Sequence, residues 1–116
     1  MKCENLDVWK KSARLSSDVY KYFSSCKDFG FKDQITRASL SIPSNIAEGM
    51  EKESTKDQIR FLDIAKGSTA AFATQTYIAM DIMYLDMEIG KEWIDRADHI
   101  IAMITKLQQS LRKRSQ

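Results

Sequence analysis

The side chains that most often bind metals are scarce in this chain. There is one histidine, His99, and there are two cysteines, Cys3 and Cys26. A di-iron site in a helical bundle takes a Glu-x-x-His motif from each of two helices, but Arg96 stands three residues before His99. The cysteines and the histidine have no spacing typical of a zinc site. The sequence therefore predicts no metal, no cofactor and two free thiols.

Hydroxyl groups are the other candidates for chemistry. Ser39, Ser41 and Ser44 crowd around Pro43, the only proline. A nucleophilic serine needs a base beside it and donors for an oxyanion, and no pattern connects these serines to the histidine. No glycine-rich phosphate loop occurs either. We therefore predict a protein that is not an enzyme and has no small-molecule substrate. The serine hydroxyls are expected to bond back to carbonyl groups in the preceding helical turn.

Asn45 and Glu48 follow the same proline at a spacing of three residues. This spacing suits a polar pair at a boundary between two helices, with Arg60 or Ser68 of the next helix as its partner. The preferred interpretation is a structural network that specifies packing. A binding site is the alternative.

Positive charge is modest, with a formal net charge of +2 and a pI near 8.5. Such a balance permits a nucleic-acid partner but does not require one. Lys10, Arg14 and Lys21 fall on one helical strip, which is either a solvated face or a ridge that contacts phosphates. The basic end of the chain suits a helix C-terminus, and nucleic-acid contact is the alternative. The candidate nucleic-acid-binding residues are Lys10, Arg14, Lys21, Arg37, Arg112, Lys113 and Arg114.

Apolar residues recur at steps of three and four, which predicts four helices over about 5–25, 30–49, 54–85 and 87–114. Short turns between them predict one all-α domain over 1–116, an up-and-down four-helix bundle. Asn5, Ser54 and Asp86 are expected N-caps, and Gly49 stands where a helix C-cap is preferred. The main stripe of the first helix is Leu6, Trp9, Ala13, Tyr20 and Phe23, beside a narrower stripe of Val8, Leu15 and Val19.

Pro43 lies inside the second helical pattern. Proline removes one helical hydrogen bond and clashes with the preceding turn. Either a single helix kinks there, or one helix ends near Leu40 and another begins at Pro43. Because Ile42 and Ile46 stay in phase across the proline, the sequence favours a single kinked helix.

The third helix is apolar on two faces, which is more than one bundle core can bury. One stripe runs from Leu62 to Met83, and the other contains Phe61, Ile64, Ala71 and Ile78. The small residues around Gly67 and Ser68 would let another helix approach closely. We therefore predict self-association through Phe61, Ile64, Ala71 and Ile78.

No segment approaches eighteen consecutive apolar residues, so no membrane-spanning helix is expected. The first residues, Met1-Lys2-Cys3-Glu4-Asn5, are followed by no apolar run of the kind that a signal peptide contains. The expected location is the cytoplasm.

Several motifs together resemble the four-helix-bundle family of 23S ribosomal RNA intervening sequence proteins. They are Leu6-x-Val8-Trp9-Lys10, Phe29-Gly30-Phe31-x-x-Gln34-Ile35-x-Arg37-Ala38, Ser41-Ile42-Pro43-Ser44-Asn45-Ile46-Ala47-Glu48-Gly49 and Ser54-x-Lys56-x-x-x-Arg60-Phe61-Leu62-x-Ile64-Ala65-x-Gly67-Ser68. Within these motifs we assign a structural role to Ser41, Pro43, Ser44, Asn45, Glu48, Gly49, Gly67 and Ser68. The family tends to carry an acidic residue shortly after the Gly-Ser pair, where this chain has Ala70, Ala71 and Ala73.

The resemblance implies a small bundle without enzymatic activity and with an RNA-related role. Relatives of the family include accessory variability proteins of diversity-generating retroelements, which implies a ring-shaped pentamer. The expected function is an oligomeric scaffold that binds RNA or a ribonucleoprotein. The alternative is a protein–protein interaction module with no direct nucleic-acid contact.

Overall fold

The computed structural model describes Met1–Gln116 and contains four α-helices and no strand. They are α1 (Asp7–Tyr22), α2 (Phe29–Met50), α3 (Thr55–Asp81) and α4 (Met87–Arg114). Each helix packs on the two helices beside it, with the longest interface between α2 and α3 and the shortest between α1 and α4. The result is a rod of 48 × 21 × 20 Å. The predicted all-α up-and-down four-helix bundle is confirmed.

Side chains cap three of the four helix starts. Asp28 Oδ1 accepts the Phe31 N–H at 3.1 Å, Ser54 Oγ accepts the Asp57 N–H at 3.1 Å, and Asp86 Oδ2 accepts the Ile89 N–H at 3.3 Å. Each bond satisfies a backbone donor that the first helical turn leaves free. The caps predicted at Ser54 and Asp86 are confirmed. The cap predicted at Asn5 is wrong, because the N-cap of α1 is Leu6 and no side chain caps this helix.

Two helices are shorter than predicted. The first runs from Asp7 to Tyr22 rather than over about 5–25, and the third ends at Asp81 rather than near Leu85. Met83 adopts a φ of 64°, in the left-handed region. Tyr84 N donates to Ala79 O, and Met83 N donates to Met80 O. These are the two bonds of a Schellman motif, which usually places glycine at the left-handed position. Because this position holds methionine, the sequence contains no residue pattern that indicates the end of the helix.

The second helix is continuous through Pro43, so the two-helix alternative is wrong. The kink itself stays a prediction. Gly49 is not the C-cap: the helix continues to Met50 and ends at Glu51, whose φ is −87°. Gly49 is instead buried against α3, where a Cβ would lie 3.0 Å from the Cβ of Phe61. The glycine is needed for close packing of two helices rather than for a turn.

The core contains one stripe from each helix. On α3 and α4 the buried stripes follow the predicted spacing and include Phe72 and Trp93, whose ring centroids are 5.9 Å apart. Met83, the last residue of the predicted α3 stripe, is exposed. On α1 the narrower stripe of Val8, Leu15 and Val19 is buried, whereas in the other stripe Phe23 is buried and Tyr20 is exposed. Small serines lie on the buried side of α1 and let α2 approach, and Ser16 Oγ and Ser39 Oγ are 3.2 Å apart.

Candidate nucleic-acid interface

Lys10, Arg14 and Lys21 lie on the outer side of α1, and we refer to them as the α1 ridge. All three side chains are exposed. None of them makes a salt bridge, in contrast to Arg37, Arg60, Lys66 and Arg96, which all pair with carboxylates. The ridge spans about 16 Å along the helix axis at 1.5 Å per residue. It is a line of positive charge that no acidic group of the protein neutralises directly.

The other predicted cations lie elsewhere. Arg37 is on α2, and its Nε lies 3.4 Å from Asp33 Oδ1. Arg112, Lys113 and Arg114 form the exposed last turn of α4. The α4 residues that face the α1 ridge end at Ile100, so this basic end begins about 18 Å further along α4. The seven candidate residues do not form one continuous surface.

A groove of about 560 Å³ separates α1 from α4 on one side of the ridge. Its walls carry both signs of charge: Lys10, Lys11, Arg14 and Arg96 against Glu92 and Asp95. Arg96 is already engaged, with Nη1 3.0 Å from Asp18 Oδ2 and 3.4 Å from Glu92 Oε1. The carboxylates neutralise part of the positive charge in this groove, whose net charge stays positive.

A second groove, of about 620 Å³, separates α1 from α2 on the other side of the ridge. We refer to it as the α1–α2 groove, and its walls are mainly apolar. Its lining includes Trp9, Ala13, Tyr20, Leu40, Pro43 and Ala47, together with Lys21 of the ridge. Sequence reasoning missed it because spacing placed Trp9 and Tyr20 on one apolar stripe without showing which part of that stripe the core leaves uncovered. A useful signal was the second apolar stripe of α1, which showed that one stripe had to remain outside.

The polar residues of the motif around Pro43 tie α2 to α3. Ser41 Oγ and Ser68 Oγ are 2.8 Å apart, and Asn45 Nδ2 donates to Ser41 O at 2.8 Å and to Ser41 Oγ at 2.9 Å. Glu48 is exposed and takes no part. The predicted pair of Asn45 with Glu48 is therefore wrong, and Ser68 reaches Asn45 through Ser41. The arrangement supports a structural network.

Serine back-bonding occurs as predicted, though not at the carbonyl group that the proline frees. Ser44 Oγ donates to Leu40 O at 2.9 Å. The carbonyl oxygen freed by Pro43 is that of Ser39, four residues earlier. Ser44 therefore adds a second bond to a helical carbonyl group and has no base in contact.

The outer face of α3 is apolar and uncovered, and we refer to Ile64, Ala71, Ile78 and Ile82 as the α3 face. The three isoleucines are 42%, 46% and 44% exposed in chain order. Ala71 and Gly67 are exposed on the same helix. Phe61 is half-buried, with Lys52 Nζ 4.9 Å and Arg60 Cζ 4.8 Å from its ring centroid. Of the predicted interface residues, Phe61 is thus partly covered by the chain's own cations.

Shifted titrations lie away from the ridge. Tyr84 Oη donates to Asp28 Oδ2 at 2.9 Å, where the α1–α2 and α3–α4 connections meet. The Phe31 N–H and the Tyr84 hydroxyl hold the pKa of Asp28 below its ordinary value of 3.8. Burial raises the pKa of the Cys3 thiol, which disfavours the reactive thiolate.

No group of three or more histidine, cysteine, aspartate or glutamate side chains is arranged to bind a metal ion. None of the four helices is long and apolar enough to cross a membrane.

Comparisons with known proteins agree with this architecture. The family model described as 23S rRNA-intervening sequence protein matches residues 4–106. A solved structure from Bacteroides thetaiotaomicron, a protein of unknown function from the S23 ribosomal protein family, superposes with a TM-score of 0.81. It is 23% identical, and the alignment covers 87% of this chain and 97% of that chain. At this identity the structural similarity establishes the fold alone. No curated protein matches the sequence.

Proposed function

The chain belongs to the family of 23S rRNA-intervening sequence proteins, and we propose that it is a non-enzymatic, self-associating bundle that binds RNA or a ribonucleoprotein as a scaffold. The observation that supports RNA binding is the α1 ridge. Its three cations are exposed and unpaired, as most cations of this chain are, and they lie on one strip of a single helix. Cations without an internal partner are free to displace the counterions of a phosphate backbone, and the release of those counterions drives association.

RNA binding to the ridge is tested by titrating an unstructured RNA at several salt concentrations. Three phosphate contacts on a single strand predict a slope of about −2 in a plot of log K against log salt concentration. Replacing Lys10, Arg14 and Lys21 together with glutamine should flatten that slope. The matched control replaces Lys27, Lys56 and Lys91, which are also exposed and unpaired, and removes the same charge. RNA mobility that stays unchanged at low salt over a micromolar titration contradicts the proposal.

Self-association is proposed to use the α3 face. Isolated apolar side chains on a surface are common, but exposed isoleucines that recur along one face of a helix are typical of a contact site. The resemblance implies five copies in a ring. Light scattering gives the mass of the assembly directly, and a monomer at micromolar concentration contradicts this part of the proposal.

A protein–protein interaction module is the second candidate, and the same α3 face favours it. In that case the face contacts another polypeptide, and the α1 ridge is a solvated surface. Partner binding that is unchanged between about 50 and 200 mM salt, together with no RNA binding, supports this candidate. An RNA-associated role and two free cysteines both suit the cytoplasm, which is the location we propose.

A further inference from the structure

Two of the aromatic side chains that lie outside the aromatic cluster of the bundle are on α1. Tyr22, Phe23 and Trp93 pair edge to face or tilted at centroid distances of 5.3–6.1 Å. Trp9 and Tyr20 have no such aromatic neighbour and line the α1–α2 groove instead. Trp9 is half-buried and Tyr20 is 41% exposed. Each presents part of a ring to the solvent in the groove.

These aromatic residues alternate with the cations of the α1 ridge. Trp9-Lys10 and Tyr20-Lys21 are two aromatic–lysine pairs separated by eleven residues. Eleven residues make almost three helical turns, so both pairs point in the same direction about 16 Å apart. A shallow depression lined by Trp9, Lys10, Ala13, Arg14 and Ser17 connects the ridge to the edge of the groove.

We propose that the α1–α2 groove takes the unpaired bases of single-stranded RNA while the α1 ridge binds its phosphates. Aromatic side chains stack with any base because every base has a π-face, and a basic strip beside them follows the backbone. In a duplex these faces are covered by neighbouring base pairs, so the groove selects single strands. The inference rests on the proposed RNA binding and specifies its substrate class.

The rings available for stacking place the bases on this side of the ridge. The α1–α2 groove is lined by Trp9, Tyr20 and Lys21 and by no acidic residue. The groove on the other side of α1 has more cations, but Glu92 and Asp95 also line it and no tryptophan, tyrosine or phenylalanine does. A strand that contacts the ridge therefore has aromatic rings to stack on only toward α2.

The test compares a labelled, unstructured RNA of about 16 nucleotides with its own duplex at one salt concentration. The single strand should bind roughly tenfold more tightly. Tyr20→Leu should weaken single-strand binding roughly tenfold, within the range for removing one stacked base, and should leave duplex binding and the salt slope unchanged. Tyr77→Leu is the matched control, because Tyr77 is 58% exposed on α3, outside the groove.

Tryptophan fluorescence provides a second measurement that needs no variant. Trp93 is 3% exposed and buried in the aromatic cluster, so quenching by added RNA reports on Trp9. Trp9→Leu keeps an apolar side chain at the edge of the core and should abolish the quenching. Circular dichroism checks that this variant is folded.

Equal binding of single strand and duplex, with Tyr20→Leu indistinguishable from the wild type, overturns the inference and leaves the proposed ridge contacts intact. Absence of binding to both RNAs at low salt removes the proposed function and this inference together. A change in the mass of the assembly on Tyr20→Leu, with RNA binding unaltered, assigns the groove to a second copy of the chain and overturns it as well.

Discussion

Gly49 of α2 and Phe61 of α3 are in such close contact that a Cβ at position 49 would lie 3.0 Å from the Phe61 Cβ. The same Cβ would lie 3.3 Å from the backbone oxygen of Gln58. Both neighbours belong to the main body of α3 rather than to the end of a flexible side chain. The longest interface of the bundle therefore depends on a residue without a side chain.

Gly49→Ala should lower the free energy of unfolding. Overpacking of this kind costs about 1–3 kcal/mol, which outweighs the gain of about 1 kcal/mol from alanine's higher helix propensity. Gly67→Ala is the matched control, because nothing lies within 4 Å of its Cβ position and only the gain remains. Chemical denaturation measures both variants, and equal effects of the two substitutions would contradict the packing explanation.

The hydrogen bond between Ser41 and Ser68 should appear as a coupling energy. In a double-mutant cycle with Ser41→Ala and Ser68→Ala, we expect a coupling of about 0.5–1.5 kcal/mol, typical of one hydrogen bond. Asn45 shares the Ser41 hydroxyl, so Ser41→Ala should cost more than Ser68→Ala. Ser44→Ala is the control, because Ser44 is exposed and bonds only within α2. Additive single substitutions would show that the two hydroxyls do not interact.

Stability should fall at both ends of the pH range because of the contact between Asp28 and Tyr84. The pKa of Asp28 is lowered on folding, so its contribution is complete above 3.8 and is lost as the pH falls through the lower folded value. The hydrogen bond to Asp28 raises the pKa of Tyr84, with the removal of water acting in the same direction. Its contribution is complete below 10.0 and is lost as the pH rises through the raised value.

Thermal unfolding of Tyr84→Phe tests the loss of stability at alkaline pH. The variant should be less stable than the wild type near neutral pH, and the difference should narrow as the pH rises above about 10. Asp28→Asn keeps an N-cap oxygen and should remove the loss of stability at acid pH that is due to Asp28. A Tyr84→Phe difference that is constant with pH argues against this contact as the cause.

The α3 face can be tested by placing a charge in it. Ile78→Lys should reduce the mass measured by light scattering, because burying an unpaired ammonium group in an apolar interface costs several kcal/mol. Helicity should be retained, since Ile78 is 46% exposed in the isolated bundle. Tyr77→Lys changes the neighbouring exposed residue and should leave the mass unchanged. An unaltered assembly after Ile78→Lys excludes this face as the contact.

Met83→Gly should stabilise the connection between α3 and α4. Met83 holds a φ of 64°, a conformation that costs an ordinary residue about 1 kcal/mol and costs glycine almost nothing. Met83 is 90% exposed, so little packing is lost. Met83→Ala keeps the Cβ and should give no gain, and a similar melting temperature for the two variants would rule out backbone strain.

The number of helices and the polar caps of α3 and α4 were predictable because they depend on local sequence. Ser54 and Asp86 cap α3 and α4 through bonds to residues three positions away. The end of α3 was not predictable, because it depends on a methionine in a conformation that normally signals glycine. For Gly49 the sequence indicated a helix end that does not exist. This glycine is required by its close contact with Phe61 inside the bundle.

The candidate site likewise has one part that the sequence predicted and one part that it did not. The positions of Lys10, Arg14 and Lys21 on one strip follow from helical periodicity alone. The groove beside them does not, because α1 carries two apolar stripes and hydrophobicity does not decide between them. Packing buried Val8, Leu15 and Val19 and left Trp9 and Tyr20 at the groove.

The amino-acid sequence by itself determined four amphipathic helices, the outward line of cations on α1 and the second apolar face of α3. Each of these follows from spacing within one helix. Only the tertiary structure decided which stripe of α1 faces the core and which residues border each groove. Ser16 and Ser39 are small enough to let α1 and α2 approach until their hydroxyls are 3.2 Å apart. That fit depends on the shapes of both helices together, so it cannot be predicted from the periodicity within either helix.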